Sequence, residues 1–262
     1  MTSMNAKNDR AIWLQGPNAC CSVPPAPLAR PVRLILLGAP GVGKGTQAEL
    51  LCQHFGACHL STGDVFRTAK KCDNAGGSPA MAGALACMQR GELVPDEIVL
   101  SLIVERAKCL RCGGGFLLDG FPRTVGQAQA LEDLLADQEV ELDAVLDYKL
   151  PHKEILARLS GRRTCPNCKA SFHLASLAPK IPGVCDHCGE ILFQREDDRP
   201  ESISVRLAAY AKNASPLKRF YKRRNLLVTI AAAGAPEETF ARTIEALERR
   251  LASNHEPQLL CE

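Results

Sequence analysis

The chain lacks any apolar run approaching the roughly 18–20 residues that a helix needs to cross a bilayer, so no membrane span is expected. It also lacks a strong charge of either sign. The formal net charge is +3, too small by itself to imply a nucleic-acid partner. The first 30 residues lack the basic-then-apolar pattern of a secretion signal, and no internal repeat is visible. Cysteine, by contrast, is plentiful. Its 13 residues are an odd number in a long chain without a secretion signal. That points to a reducing, cytoplasmic setting rather than a disulfide framework. Most cysteines are expected to be buried small hydrophobes, and four to be metal ligands. At 262 residues and 46% hydrophobic content, the chain can build one α/β core with inserts.

The strongest local signal is Leu34-Ile35-Leu36-Leu37-Gly38-Ala39-Pro40-Gly41-Val42-Gly43-Lys44-Gly45-Thr46. A short apolar strand feeds a glycine-rich loop that matches G-x-x-x-x-G-K. The backbone N–H groups of such a loop cradle phosphates. Lys44 can place its charge on the β and γ oxygens, and the helix beginning near Gly45 aims its positive end at the same point. Gly45 stands where Ser or Thr commonly follows the lysine, and the hydroxyl comes one residue later, at Thr46.

The rest of the chain alternates strands with helices, which implies a parallel, doubly wound sheet. Strands are expected at 32–37, 116–119, 144–150 and 226–230. Helices are expected at 46–55, from Ser61-Thr62-Gly63-Asp64 onward, at 79–90, from Pro95, at 127–136, at 152–159, through Val205 and Tyr210, and at 237–251. Residues 1–30, with Pro17, Pro24, Pro25 and Pro27, read as a flexible extension. The last residues, 253–262, read as a flexible tail.

Three constellations bear chemistry. Phe116-Leu117-Leu118-Asp119 is an apolar strand ending in a carboxylate. Beside a phosphate loop it suits a Mg²⁺ site, with Asp119 reaching the ion directly or through water. Arg67, Arg123, Arg158, Arg162, Arg163, Arg195 and Arg206 lie at element ends or near an insert that runs from about Arg162 to Asp198. Guanidinium forks stabilise the charge that spreads over a migrating phosphoryl group; Arg163 reads as structural. Cys165-x-x-Cys168 and Cys185-x-x-Cys188 have the spacing of a tetrahedral zinc site bound by four thiolates. Such a site has no open position and should be structural. His173 and His187 stand nearby as alternative ligands. Cys109-x-x-Cys112 has no matching pair and reads as helix-end cysteines.

Taken in order from about 32 to 250, these motifs resemble the adenylate kinases, the nucleoside monophosphate kinases of the long-lid type with a zinc-binding lid of four cysteines. The resemblance rests on the phosphate loop, Ser61-Thr62-Gly63-Asp64, Gly91-Glu92-Leu93-Val94-Pro95-Asp96-Glu97, Asp119-Gly120-Phe121-Pro122-Arg123-Thr124, Gly161-Arg162-Arg163 and Arg195-Glu196-Asp197-Asp198. It implies a P-loop NTPase-like five-stranded parallel sheet flanked by helices. The core would comprise 31–60, 95–161 and 199–252, with an AMP-binding arm at 61–94 and a zinc-bearing lid at 162–198. It further implies reversible transfer of the γ-phosphoryl of MgATP to AMP, giving two ADP, by a monomer that binds neither nucleic acid nor membrane.

By that match Gly41, Val42, Gly43, Lys44, Gly45 and Thr46 would hold the ATP phosphates. Arg158, Arg162, Ser171 and Phe172 would also face ATP. Thr62, Arg67, Glu92, Leu93, Val94, Gly120, Phe121, Pro122, Arg123 and Gln127 would bind AMP, with Gln127 reading the adenine edge. Arg195 and Arg206 would clamp the phosphates. Lys44, Arg123, Arg162, Arg195, Arg206 and Asp119 would form the catalytic set, and Cys165, Cys168, Cys185 and Cys188 the zinc set.

The chain departs from the family pattern at Glu92, where lysine is common, at Phe172, where tyrosine is usual, and at Pro200. The loop after the last strand, Ala231–Ala235, has no secure register from sequence. Two other functions stay open on these residues. One is a kinase preferring another monophosphate. The other is a catalytically silent nucleotide- or RNA-binding protein with a zinc ribbon.

Overall fold

Seven strands are labelled in chain order: β1 (Val32–Gly38), β2 (Cys58–Ser61), β3 (Gly115–Asp119), β4 (Ala144–Lys149), β5 (Arg162–Thr164), β6 (Ser171–His173) and β7 (Leu227–Ala231). The helices are α1 (Lys44–Phe55), α2 (Asp96–Glu105), α3 (Val125–Asp137), α4 (His152–Gly161), α5 (Pro200–Arg223) and α6 (Pro236–Ser253). The computed structural model describes residues 31–63, 86, 87, 90, 92–105, 110, 114–168 and 170–253. The extension expected at 1–30, most of the expected arm, the Cys109/Cys112 pair and nearly all of the expected tail lie outside the described residues.

Five strands form one parallel sheet in the order β2-β3-β1-β4-β7. β1 sits at its centre, with Ile35 opposite Leu118 on one side and Val145 on the other. A central strand covered on both faces has no polar face, which is why Leu34–Leu37 reads as a continuous apolar run. Successive residues still point to opposite faces. Ile35 and Leu37 join Val99 and Ile103 of α2, Leu131 of α3 and Leu217 of α5 on one side. Leu34 and Leu36 join Ala48 and Leu51 of α1, Leu159 of α4 and Leu247 of α6 on the other. Each fully buried leucine or isoleucine contributes about 1.5–3 kcal/mol, so both helical layers are held firmly to the sheet.

Sequence periodicity locates four of the five sheet strands and misses β2. Cys58-His59-Leu60-Ser61 is only four residues long, and half of it is polar, yet all four are buried. Cys58 is buried, and it is also disulfide-bonded. Pro200, a departure in sequence, occupies the first turn of α5, where its missing N–H costs no helical bond. The same helix carries Pro216 in its interior.

Candidate active site

The phosphate loop lies between β1 and α1, at the carboxyl edge of the sheet. Gly43 takes the N-cap of α1 with φ 97°, and no side chain caps the helix there. Gly41 has φ 85°, and a Cβ at this position would meet Leu159 Cγ at 2.7 Å. Only glycine allows both the left-handed backbone and the close approach of α4. Lys44 curls over this loop and donates from Nζ to the carbonyls of Gly38 at 2.8 Å and Ala39 at 3.1 Å. Burial pushes its ammonium down from 10.5 to about 8, Asp119 opposes that fall, and Arg123, Arg206 and Arg162 add to it. Lys44 therefore stands in the combined field of one carboxylate and three guanidinium groups from the candidate set.

Asp119 ends β3, its side chain 15% exposed, with His59 Nε2 at 3.7 Å from Oδ2. Beyond it the chain turns through Gly120. A Cβ on Gly120 would meet Thr62 Oγ1 at 3.0 Å and Arg123 Nη2 at 3.1 Å, so the missing side chain lets these two candidate residues converge. Arg123 Nε donates to the Gly120 carbonyl at 2.7 Å. Phe121 is wholly buried in the core and anchors this loop, and the Phe121–Pro122 peptide is cis. Gln127, 2% exposed, accepts from the Arg123 backbone N–H at 2.7 Å and donates to Asp96 at 2.6 Å.

Of the other arm-side residues, Thr62 is buried. Glu92 is exposed and paired with Arg90 at 2.7 Å. Leu93 and Val94 are half-buried, with Val94 packed on the core. Arg67 lies outside the described residues.

On the opposite wing, Arg158 of α4 donates to the carbonyls of Val42 at 3.4 Å, Ala232 at 3.1 Å and Gly234 at 3.4 Å. One guanidinium thus ties the phosphate loop to the segment after β7. The register that sequence left open is now defined. β7 ends at Ala231, residues 232–235 form the loop, and α6 begins at Pro236. Arg242 of α6 supports the same loop from behind through the Ala233 carbonyl at 2.5 Å.

Two arginines, one from β5 and one from α5, meet on one buried carboxylate. Asp198 is fully buried and accepts from Arg162 Nε at 2.7 Å and Nη2 at 2.5 Å, and from Arg206 Nη1 at 2.9 Å. Arg206 also meets Asp197 Oδ2 at 3.2 Å. Arg195 Nε donates to Thr164 Oγ1 at 2.9 Å. Arg163 donates to the carbonyls of Ser160 and Arg162, in keeping with its structural reading.

β5 and β6 pair antiparallel beneath the two cysteine knuckles. The four Sγ atoms of Cys165, Cys168, Cys185 and Cys188 lie within 4.8 Å of one another. The Cys165–Cys188 and Cys168–Cys185 separations are 3.4 and 3.5 Å. Four thiolates around one zinc would stand about 3.8 Å apart, given Zn–S near ~2.3 Å, so the donor set fits that ion.

Neither alternative ligand joins the cluster. His173 is held by the Ala157 carbonyl and by the N–H groups of Ala175 and Ser176, all at 3.1 Å. His187 lies with its ring centroid 5.8 Å from that of Phe172. Phe172 itself packs with Cys165, Cys185 and Leu192 in the core of the insert. Ser171, the other member of the pair expected to face ATP, is half-buried.

Sequence reasoning missed Asp96, Asp198, His59 and Arg242. Asp96 and Asp198 lie inside motifs it singled out, so the signal was present without a role. His59 and Arg242 carry no sequence signal.

Comparison with known proteins bears on the whole of this region. A family model described as "Adenylate kinase" matches residues 36–226. A protein of Carboxydothermus hydrogenoformans named adenylate kinase is 45% identical over 218 residues, covering 83% of this chain and 100% of the relative. A protein of the same name from Caldicellulosiruptor saccharolyticus is 47% identical over 216 residues, 82% of this chain and 99% of its own length. Another from Streptomyces griseus is 44% identical over 218 residues, 83% and 98% of the two chains.

Proposed function

The chain belongs to the adenylate kinase family, and from that premise we propose that it transfers the γ-phosphoryl of MgATP reversibly to AMP, giving two ADP. The observation that carries this reading is Lys44 held over the phosphate loop by the Gly38 and Ala39 carbonyls, with Arg123 on the turn after Asp119 and Arg162 and Arg206 gathered on Asp198. A hydrolase needs one phosphate site and a water. Arginines from two separate parts of the chain around one lysine suit a phosphoryl group passing between two anions.

In this reading residues 41–46 bind the ATP phosphates and Lys44 follows the migrating group. Lys44 must leave the Gly38 and Ala39 carbonyls to do so, and a phosphate oxygen is the stronger partner for an ammonium. Arg158 borders the donor nucleoside, together with the loop 232–235. Thr62, Arg67, Glu92–Val94, residues 120–123 and Gln127 form the acceptor site. Arg162, Arg195 and Arg206 come from the lid side and neutralise the charge of transfer.

Asp119 would hold magnesium through its waters, and the bound ion supplies charge neutralisation at the β and γ oxygens. The cysteine set would hold a structural zinc in a lid at 162–198. The core would comprise 31–60, 95–161 and 199–252, and the arm 61–94. The lid and arm close to exclude water, which directs transfer to AMP rather than to hydrolysis.

No described helix is long and apolar enough to cross a membrane. A cytoplasmic monomer acting on ATP, AMP and ADP is part of the proposal. A coupled assay of ATP with AMP, GMP, CMP and UMP tests it. Rapid ADP formation with AMP alone is expected. A preference for another monophosphate would move the assignment within the kinases, and nucleotide binding without ADP formation would overturn it.

A further inference from the structure

Asp96 opens α2, immediately after Glu92-Leu93-Val94-Pro95, and its carboxylate reaches across to α3. Oδ1 accepts from Gln127 Nε2 at 2.6 Å and Oδ2 accepts from Thr124 Oγ1 at 2.8 Å. Thr124 is also the N-cap of α3, its Oγ1 accepting the Gln127 backbone N–H at 3.1 Å. A hydroxyl has a single proton. Asp96 takes it, so the oxygen lone pairs are left for the helix.

The same carboxylate fixes which way the Gln127 amide faces. A carboxylate without a proton can only accept, so Nε2 must point at Asp96. The Arg123 backbone N–H can only donate, so Oε1 must point at Arg123, at 2.7 Å. After these bonds the amide retains one N–H and one lone pair. That pair of groups is what a nucleobase edge could meet. The loop carrying Arg123 is pinned by the same network at its α3 end, through the Arg123 N–H and through Thr124.

We propose that Asp96 is a positioning residue of the acceptor site. It sets the donor–acceptor pattern that Gln127 offers to the base of the monophosphate, and it fixes the path of the 120–124 loop that presents Arg123. The proposal rests on the reading of this site as the acceptor site of an adenylate kinase. It concerns a residue that touches neither nucleotide and acts only through Thr124 and Gln127.

The test uses the near-isosteric variant D96N, with Q127E and D96N/Q127E, measuring kcat, KM for AMP, KM for ATP and melting temperature. An amide at 96 offers one acceptor oxygen where two donors now converge: with its oxygen on Thr124 it turns N–H on Gln127 and sets the Gln127 amide against Arg123, and with its oxygen on Gln127 it leaves the Thr124 proton without an acceptor and loosens the 120–124 loop. D96N should raise KM for AMP by roughly 10-fold or more, the low end for a lost hydrogen bond to a charged group. KM for ATP should stay within about twofold. In the double variant the new amide donates to the new carboxylate, which still accepts from Arg123. Melting temperature should return towards wild type, while KM for AMP stays high because a carboxylate cannot donate to adenine.

An unchanged KM for AMP in D96N would overturn the proposal. So would equal rises for both substrates, or recovery of KM for AMP together with stability in the double variant, which mark a purely structural tie. Failure of the underlying reading is visible separately, as a wild-type protein that forms no ADP from ATP and AMP, and it would overturn both.

Discussion

Lys44 is the residue on which the proposed chemistry turns, and its present bonds are weak ones to give up. Two neutral carbonyls hold an ammonium that burial has pushed down to about 8. The folded protein therefore binds fewer protons than the unfolded chain between about 8 and the ordinary value of 10.5. By linkage this group's unfavourable contribution to stability is full below about 8 and is relieved as pH rises towards 10.5. Binding requires the opposite state, because a phosphate needs the charged ammonium. The kcat/KM for ATP should fall as pH rises above about 8, and K44R should remove that dependence. A flat profile between pH 7 and ~9.5 in the wild-type enzyme would contradict it.

Arg123 Nε rests on the Gly120 carbonyl, a neutral acceptor that a phosphate oxygen outcompetes for a guanidinium. R123A should lower kcat by on the order of 10²-fold, the worth of one preorganised donor to developing charge. Steady-state kinetics with saturating ATP and AMP measures it, and a near-normal rate would remove Arg123 from the transition-state set.

At the scale of elements, a carboxylate organises the junction between the proposed lid and α5. Asp198 sits in the single 3₁₀ turn Glu196–Asp198, just before Pro200 starts α5, and it holds Arg162 from the start of β5 and Arg206 from α5 together. Two like charges stay adjacent because a buried anion lies between them. D198A would leave two guanidinium groups facing each other without that anion. The loss of a buried ion-pair partner costs about 3 kcal/mol. Urea unfolding should report a fall of that order, and kcat should drop with it because both arginines lose their common anchor. D198N, which keeps one acceptor, should lie between the two.

Elements also differed in how well they could be read from sequence. β1 and β3 announce themselves as buried apolar runs ahead of motif residues. β2 does not, because His59 and Ser61 make four buried residues look like a loop.

For the molecule as a whole, the sheet order divides the site. β1 and its phosphate loop lie at the centre, β3 and β2 lead to the groups proposed for the acceptor site, and β4 and β7 lead to Arg158 and the loop 232–235. Ligands of open parallel sheets bind where the strand order reverses, and here that point is the carboxyl end of β1. The cysteine cluster lies in a separate small core of Cys165, Phe172, Cys185 and Leu192, which contains none of the proposed catalytic residues. C165S should therefore lose zinc and melt at a lower temperature, yet retain substantial activity when assayed cold. Metal content by mass spectrometry, thermal melting and an assay at low temperature check this. A folded, zinc-free variant with no activity at any temperature would show that the lid geometry needs the metal for catalysis.

The sequence alone determined the features that depend on contiguous residues. The phosphate loop needs its glycines and lysine in one stretch, Asp119-Gly120-Phe121-Pro122-Arg123 is one turn at a strand end, and two cysteine knuckles need only fixed spacing. It also singled out the arginines on which the proposal draws. Tertiary structure alone decided what those residues do to one another. Gln127 meets Asp96 from 31 residues away, and Arg162 meets Asp198 from 36 residues away. Arg158 reaches Ala232 across 74 residues. Such bonds have no local pattern, because they form between chain segments that only the packed sheet brings within reach. The same packing buries Phe172 beneath the cysteines and keeps His173 away from them, a choice that residue type and spacing leave open.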